Sequence, residues 1–222
     1  MAIFKDYLEN KSPLILHGAL GTEMESLGYD ISGKLWSAKY LLDKPEVIQK
    51  IHETYVAAGS DLITTSSYQA TLPGLIDAGL TEKEAEQIIA LTVQLAKAAR
   101  DKVWAALDES EKAKRPYPLI SGDVGPYAAY LANGSEYTGD YGQIIIEALK
   151  EFHRPRIQIL LDHGVDLLAL ETIPNHLEAQ ALIELLAEEF PEAEAYISFT
   201  VQEPGTISDG TSLDEIAQLV GQ

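Results

Sequence analysis

The sequence predicts an α/β fold of the (β/α)8 TIM-barrel type, with about the first five β/α units present in its 222 residues. Three observations predict it. Short apolar runs alternate with longer stretches of helical periodicity five times over, and such alternation implies a parallel sheet with right-handed crossovers. The first four runs each lead into a decorated loop, which fits the top of a barrel better than a small doubly wound sheet. In Asp166–Asn175, DLLALETIPN, the run Leu167–Leu170 is apolar on both faces, as a strand covered by helices must be, and it gives way to the carboxylate of Glu171.

The elements follow in order. Residues 1–12 form a short lead-in helix or arm. Pro13–Leu16 is the first strand, ending at His17-Gly18. The polar segment Gly21–Trp36 is long for a strand-to-helix connection, and long loops in compact domains are often functional. Asp43-Lys44-Pro45 opens a helix, with Asp43 as N-cap and proline near the first turn. Val47, Ile48, Ile51, Tyr55 and Val56 give it an apolar face, and Gly59 ends it.

Asp61–Thr65 is the second strand, followed by the hydroxyl-rich loop Ser66–Thr71. Thr81 and Glu84 form a capping box for a helix that runs to about Leu107. Residues 108–115 are a charged, solvated connection. Tyr117–Ser121 is the third strand and runs into Gly122-Asp123-Val124-Gly125-Pro126, then into a loop carrying Tyr127, Tyr130 and Tyr137. A helix occupies roughly Asp140–Phe152. Pro155 forces a kink or a new start, and a further helical segment reaches Asp162 before Gly164. After the fourth strand, Asn175 and Glu178 form a capping box for a helix from about His176 to Glu189. Ala195–Val201 is the fifth strand, and Ser212 with Glu215 caps a last helix.

No repeat, low-complexity tract or linker interrupts the pattern, so residues 1–222 are expected to form a single domain. Closure of a barrel needs eight units. The expectation is therefore of a chain that stops before the sixth strand.

Composition bounds the function. Hydrophobic residues make up 46% and charged residues 23%, as in ordinary globular proteins. A formal net charge of −19 argues against nucleic acid and anionic membrane as partners, because phosphates would be repelled. There is no cysteine, hence no disulfide and no thiolate metal site in these residues. No signal peptide or transmembrane run is visible, and a cytoplasmic protein is expected.

His17, Asp123 and Glu171 fall at C-terminal strand ends, where a barrel would bring them to one cavity. Each also has a plain structural role open to it. Glu171 takes hydrogen bonds from a substrate ammonium group, or caps its loop or pairs with an arginine. Asp123 contacts a ligand, or binds its own loop amides around Gly122 and Gly125. His17 contacts a ligand, or is hydrogen-bonded within the barrel mouth. The loop aromatics Trp36, Tyr68 and Tyr127 either attract a quaternary or sulfonium cation or simply pack. His17-Gly-Ala-Leu-Gly21 is not a dinucleotide fingerprint, and no metal or Ser-His-Asp motif is present. His52, His153 and His163 lie on helices as surface or packing residues.

Taken together, the motifs resemble one family. They are His17-Gly-Ala-Leu-Gly-Thr-Glu-Met-Glu25, Leu35-Trp-Ser-Ala38, Ala58-Gly-Ser-Asp61, Thr64-Thr-Ser-Ser-Tyr-Gln-Ala-Thr71, Gly125-Pro-Tyr-Ala-Ala-Tyr-Leu-Ala132, Gly134-Ser-Glu-Tyr137 and Leu168-Ala-Leu-Glu-Thr-Ile-Pro174. The chain resembles the homocysteine S-methyltransferases, especially the bacterial enzymes that use S-methylmethionine, over nearly its whole length.

The resemblance implies a (β/α)8 barrel that binds zinc through three cysteines on its sixth and eighth strands. Those strands lie beyond Gln222, so the 222 residues alone are expected neither to bind catalytic zinc nor to transfer methyl groups. It implies small-molecule partners, L-homocysteine and a sulfonium donor, with methionine as product. Zinc would hold the homocysteine thiolate for attack on the donor's methyl group. Glu171 matches the family glutamate that contacts homocysteine's amino group. Trp36 and Tyr68 match aromatic positions near the methyl donor, with Ser66 and Ser67 beside them. His17 stands where many members carry an aspartate. The choice between S-methylmethionine and S-adenosylmethionine, and the oligomeric state, stay open. So do two other readings. A different barrel enzyme of the aldolase kind would need a Schiff-base lysine, but none of the five strands ends in one. A non-catalytic binding domain would need no cysteines.

Overall fold

The computed structural model describes residues 3–10, 13–32 and 38–221. Helices α1 (Ile3–Asn10), α2 (Leu20–Ser26), α3 (Lys39–Asp43) and α4 (Pro45–Ala58) precede strand β1 (Leu62–Thr64). Helices α5 (Leu72–Asp77), α6 (Glu82–Ala106) and α7 (Glu109–Lys112) lead to β2 (Leu119–Val124). Helices α8 (Tyr127–Leu131), α9 (Ser135–Thr138) and α10 (Ile146–Asp162) lead to β3 (Leu167–Ile173). Then come α11 (His176–Glu189), β4 (Ala195–Phe199) and α12 (Leu213–Val220). The strands pair in parallel in the order β1-β2-β3-β4, so chain neighbours are sheet neighbours, joined by helical crossovers.

The described sheet has four strands where five were expected. Pro13–Leu16 does not form a strand. Leu16 makes a single parallel bridge to Leu62, and Asp61 N–H donates to Ile15 O at 2.7 Å. The pairing ends there because Pro13 has no N–H to give, and the Ile15 N–H is taken by the Asp61 carboxylate at 2.9 Å.

Other boundaries moved for local reasons. The Gly21–Trp36 stretch is not all loop, since α2 runs to Ser26. Lys44, not Asp43, is the N-cap of α4, because Asp43 is already the last residue of α3. The charged connection holds α7, capped reciprocally by Asp108 and Glu111. Helix α10 starts at Ile146 rather than Asp140 and continues through Pro155. An internal proline costs about 3 kcal/mol. Ile157 and Leu160 beyond it are fully buried, and each contributes about 1.5–3 kcal/mol, enough to keep the helix going. The capping boxes at Thr81/Glu84 and Ser212/Glu215 form as expected.

The two faces of the sheet differ. On one, Leu168 and Leu170 of β3 join a core with Ile157 and Leu160 of α10 and Leu182 and Leu185 of α11. On the other, Leu62, Leu119 and Leu167 form an apolar layer packed by Phe4, Tyr7, Leu14 and Tyr196. Helix α1 is held there by Glu194, whose carboxylate accepts from the N–H groups of Phe4 and Lys5 at 2.9 and 3.0 Å. Side chains alternate along a strand, so this second face continues upward through Thr64 and Ser121 to Asp123 and Glu171. A greasy layer thus gives way to a polar one at the C-terminal strand ends. No described helix is long and apolar enough to cross a membrane.

Candidate functional site

At that polar end lies a cavity of about 310 Å³, lined by His17, Ser66, Tyr68, Asp123 and Glu171 with Gly18–Gly21, Thr64 and Thr65. Five of the site residues expected from sequence therefore meet in one place. The sixth, Trp36, lies outside the described residues.

Glu171 sits inside β3 rather than in the loop after it. Between paired positions Leu170/Ile197 and Ile173/Phe199, β3 advances three residues and β4 only two, so β3 carries one extra residue. That is a β-bulge, a device that re-aims side chains beside sites. Thr172 absorbs it with φ +64°, a conformation that costs a β-branched residue about 1–3 kcal/mol. The Thr172 N–H donates to Ser198 Oγ at 2.9 Å. The phenol of Tyr196 donates to Glu171 Oε1 at 2.5 Å. Glu171 is thus fixed by a neighbouring strand, with no arginine pairing among the described residues. Tyr196 went unnoticed in the sequence; only the strand register brings it beneath Glu171.

Asp123 is nearly buried at the end of β2, one strand away. Burial, and then the nearby Glu171 carboxylate, push its pKa well above the usual range, while Arg156 opposes them. Its backbone is pinned, since its N–H donates to Thr65 Oγ1 at 2.9 Å and its carbonyl accepts from Ser67 Oγ at 2.7 Å. Its Oδ1 is buried and finds no partner among the described residues, so that oxygen does not bind the loop amides around Gly122 and Gly125. Such an atom lacks the bond that buried acceptors normally make.

His17 bonds through Nε2 to His52 Nδ1 at 2.8 Å and stacks on Tyr55 at a centroid distance of 4.4 Å. Burial lowers its pKa to about 4, so it is neutral at neutral pH. His52, expected on the helix as a surface or packing residue, is fully buried as this partner, and burial drives its pKa well down too. His17 therefore presents no charge to the cavity. Glycine is required beside it, since a Cβ on Gly18 would stand 2.3 Å from the Tyr55 ring.

Tyr68 reaches Glu136 Oε1 at 3.4 Å, and burial, Glu136 and Asp123 together hold its phenol protonated. Ser66 Oγ is buried without a partner among the described residues, whereas Ser67 Oγ is tied to Thr65 Oγ1 at 2.7 Å. Tyr127 does not line the cavity. Its ring packs against Tyr130, Tyr141 and Phe152, so it serves as packing. The arrangement is therefore two carboxyl groups, one uncharged imidazole backed by a second, and an aromatic residue around a small cavity. It suits a small cationic amino compound.

The family profile described as Homocysteine S-methyltransferase matches residues 14–222. The chain belongs to the homocysteine S-methyltransferase family. The homocysteine S-methyltransferase YbgG of Bacillus subtilis (strain 168) is 47% identical over 204 residues, 92% of this chain and 64% of the relative. The homocysteine S-methyltransferase of Escherichia coli (strain K12) is 45% identical over 213 residues, 96% of this chain and 66% of the relative. This chain thus spans about two thirds of the length of these family members. The metallated form of the homocysteine methyltransferase MmuM from Escherichia coli superposes with a TM-score of 0.90 at 43% identity, covering 98% of this chain and 73% of that one.

That family structure carries a metal, and the residues of this chain can be tested for one. Among the described residues no three His, Cys, Asp or Glu side chains cluster to hold a metal ion, and the sequence has no cysteine. Zinc sites need three or four close N, S or O donors. The described residues do not by themselves make a zinc site.

Proposed function

We propose that the protein containing these residues transfers a methyl group from a sulfonium donor, S-methylmethionine or S-adenosylmethionine, to the sulfur of L-homocysteine, giving methionine. In this reading the four-stranded sheet is one side of a (β/α)8 barrel, and residues 1–222 lie within one homocysteine-binding domain of a cytoplasmic enzyme. The parallel β1-β2-β3-β4 order and the likeness to MmuM support that architecture.

The observation that carries the proposal is the cavity that Glu171 and Asp123 line together with a neutral His17. Glu171, held by Tyr196, accepts the ammonium of homocysteine, a charge-assisted bond about twice as strong as a neutral one. Asp123 offers a second acceptor. Burial, and then the Glu171 carboxylate, disfavour its charge, and an arriving cation restores it. His17, uncharged, does not repel the ammonium. It lines the cavity in place of an acid and contacts substrate as a neutral group. Tyr68 borders the donor side of the cavity with Ser66 beside it, and an aromatic face attracts a sulfonium. Trp36 is assigned to the same donor side by the family resemblance alone.

In the transfer itself, the homocysteine thiol gives its proton to solvent, its sulfur attacks the methyl carbon and the carbon–sulfonium bond breaks. Its electron pair returns to the donor sulfur, which leaves as a neutral thioether without acid assistance. The zinc implied for thiol activation finds no donor set among the described residues, so these residues are assigned binding and orientation only. The test is to incubate the whole protein with homocysteine and each donor and to measure methionine by mass spectrometry. Methionine formed from at least one donor is expected, and none from either overturns the proposal.

A further inference from the structure

We infer that Arg156 is a positioning residue, a buried clamp that locks the loops after β1 and β2 together and so sets the geometry of Tyr68 and Asp123 at the cavity. Its role in methyl transfer rests on the function proposed above.

Arg156 is 1% exposed. Among the described residues it points no nitrogen at a carboxylate within hydrogen-bond distance. Nη1 donates to the carbonyls of Ser67 at 3.3 Å and Tyr68 at 3.0 Å, and Nη2 donates to the carbonyl of Gly125 at 2.6 Å. One guanidinium thus bridges three carbonyls on two loops. The loops touch at that point, since a Cβ on Gly125 would stand 2.5 Å from Tyr68 O. On one side of the clamp the Tyr68 ring borders the cavity, and on the other, two residues before Gly125, so does Asp123.

The clamp is itself held from behind. Nη2 also contacts His153 Nδ1 at 3.1 Å. Arginine has only N–H donors, so Nδ1 is the acceptor and the His153 proton sits on Nε2. That nitrogen donates to Glu178 Oε1 at 2.8 Å. Glu178 also accepts from the Tyr127 N–H and the Tyr141 hydroxyl. This refines one sequence expectation and overturns another. Of the surface and packing roles open to His153, it takes the packed one, fully buried and hydrogen-bonded as well. Glu178 does not complete a capping box: Asn175 still accepts from the Glu178 N–H at 3.0 Å, but the Glu178 carboxylate turns inward.

The arrangement is a charged arginine and a glutamate with a neutral imidazole between them. A hydrophobic side chain of similar volume often folds as well as or better than a buried ion pair. What it cannot do is hold three carbonyls at fixed angles, and neither can the single ammonium of lysine.

The test compares whole wild-type protein with Arg156→Met and Arg156→Lys. We measure kcat and KM for homocysteine and for the sulfonium donor, thermal unfolding, and amide hydrogen exchange over residues 66–71 and 125–131. Misplacing reacting groups by about 1 Å can cost about 100-fold, so kcat/KM for the donor is expected to fall at least about tenfold in both variants. The homocysteine KM is expected to stay within about threefold, and added methylguanidine to restore part of the rate in Arg156→Met. Exchange in the two loops is expected to accelerate. Wild-type donor kinetics in a folded variant overturn the inference. So does a loss that only tracks the folded fraction and is not rescued. If Arg156→Met does not fold, Arg156→Lys carries the same comparison. If the wild type itself transfers no methyl group, the functional reading fails, and exchange decides the clamp alone: faster loop exchange supports it and unchanged protection overturns it.

Discussion

The Tyr196 hydroxyl and Glu171 Oε1 stand 2.5 Å apart, joining β4 to the bulge of β3. The tyrosine rises from the apolar layer that also holds Leu62, Leu119 and Leu167, so its ring is anchored in the core while its tip reaches the site. Glu171 in turn holds the Tyr196 phenol in its protonated form, after burial as the larger cause. Tyr196→Phe keeps the ring and removes the hydroxyl that meets Glu171 and Thr64. A hydrogen bond to a carboxylate is worth about 1.5–3 kcal/mol, so the homocysteine KM is expected to rise up to about tenfold and the unfolding temperature to fall by a few degrees. Steady-state kinetics with circular dichroism melting check it. An unchanged KM would mean that Glu171 is aimed without Tyr196.

Gly125 packs so closely on Tyr68 that an added Cβ would lie 2.5 Å from its carbonyl and 2.7 Å from its ring. Gly125→Ala must push the tyrosine or its loop aside. Overpacking of this kind costs about 1–3 kcal/mol. The unfolding midpoint in urea is expected to drop accordingly, and affinity for the sulfonium donor to weaken more than affinity for homocysteine. Isothermal titration with each ligand separates the two effects.

Stability is expected to fall in mild acid because of the histidine pair. Burial holds His17 at about 4 in the fold, against 6.5 for an exposed histidine. Below about pH 6.5 the unfolded chain binds the proton first, so stability is complete above that pH and is lost as pH falls toward 4, with a slope of at most about 1.4 kcal/mol per pH unit. His52, lowered for the same reason, adds to the loss. In His17→Asn the decline of the urea midpoint between pH 7 and pH 4.5 is expected to be shallower than in the wild type. Identical slopes would remove His17 from this balance.

The strands with continuous apolar runs were legible in the sequence because their burial is written into composition. Leu167–Leu170 falls inside β3 as expected, and the strand expected at Ala195–Val201 forms over Ala195–Phe199, two residues shorter and half-buried. The end of β3 was not legible. Glu171 looked like a loop residue because a carboxylate normally ends an apolar run, whereas a bulge at Thr172 keeps the strand going to Ile173. The first strand failed because Pro13 and Asp61 together remove its ladder bonds. The site residues at strand ends were found by position. The partners that hold them were not, because Tyr196, His52 and Arg156 reach the site through register and helix packing. A buried histidine on a helix has no local signature that separates it from an exposed one.

The central claim is that Glu171 holds the ammonium of homocysteine. It is tested most directly by the homocysteine KM of Glu171→Ala in the whole protein, with unfolding temperature measured alongside. The account predicts a rise of about tenfold or more, as expected when a charge-assisted bond worth about 1.5–3 kcal/mol is lost, in a protein that still folds. A folded Glu171→Ala protein with the wild-type KM would contradict it.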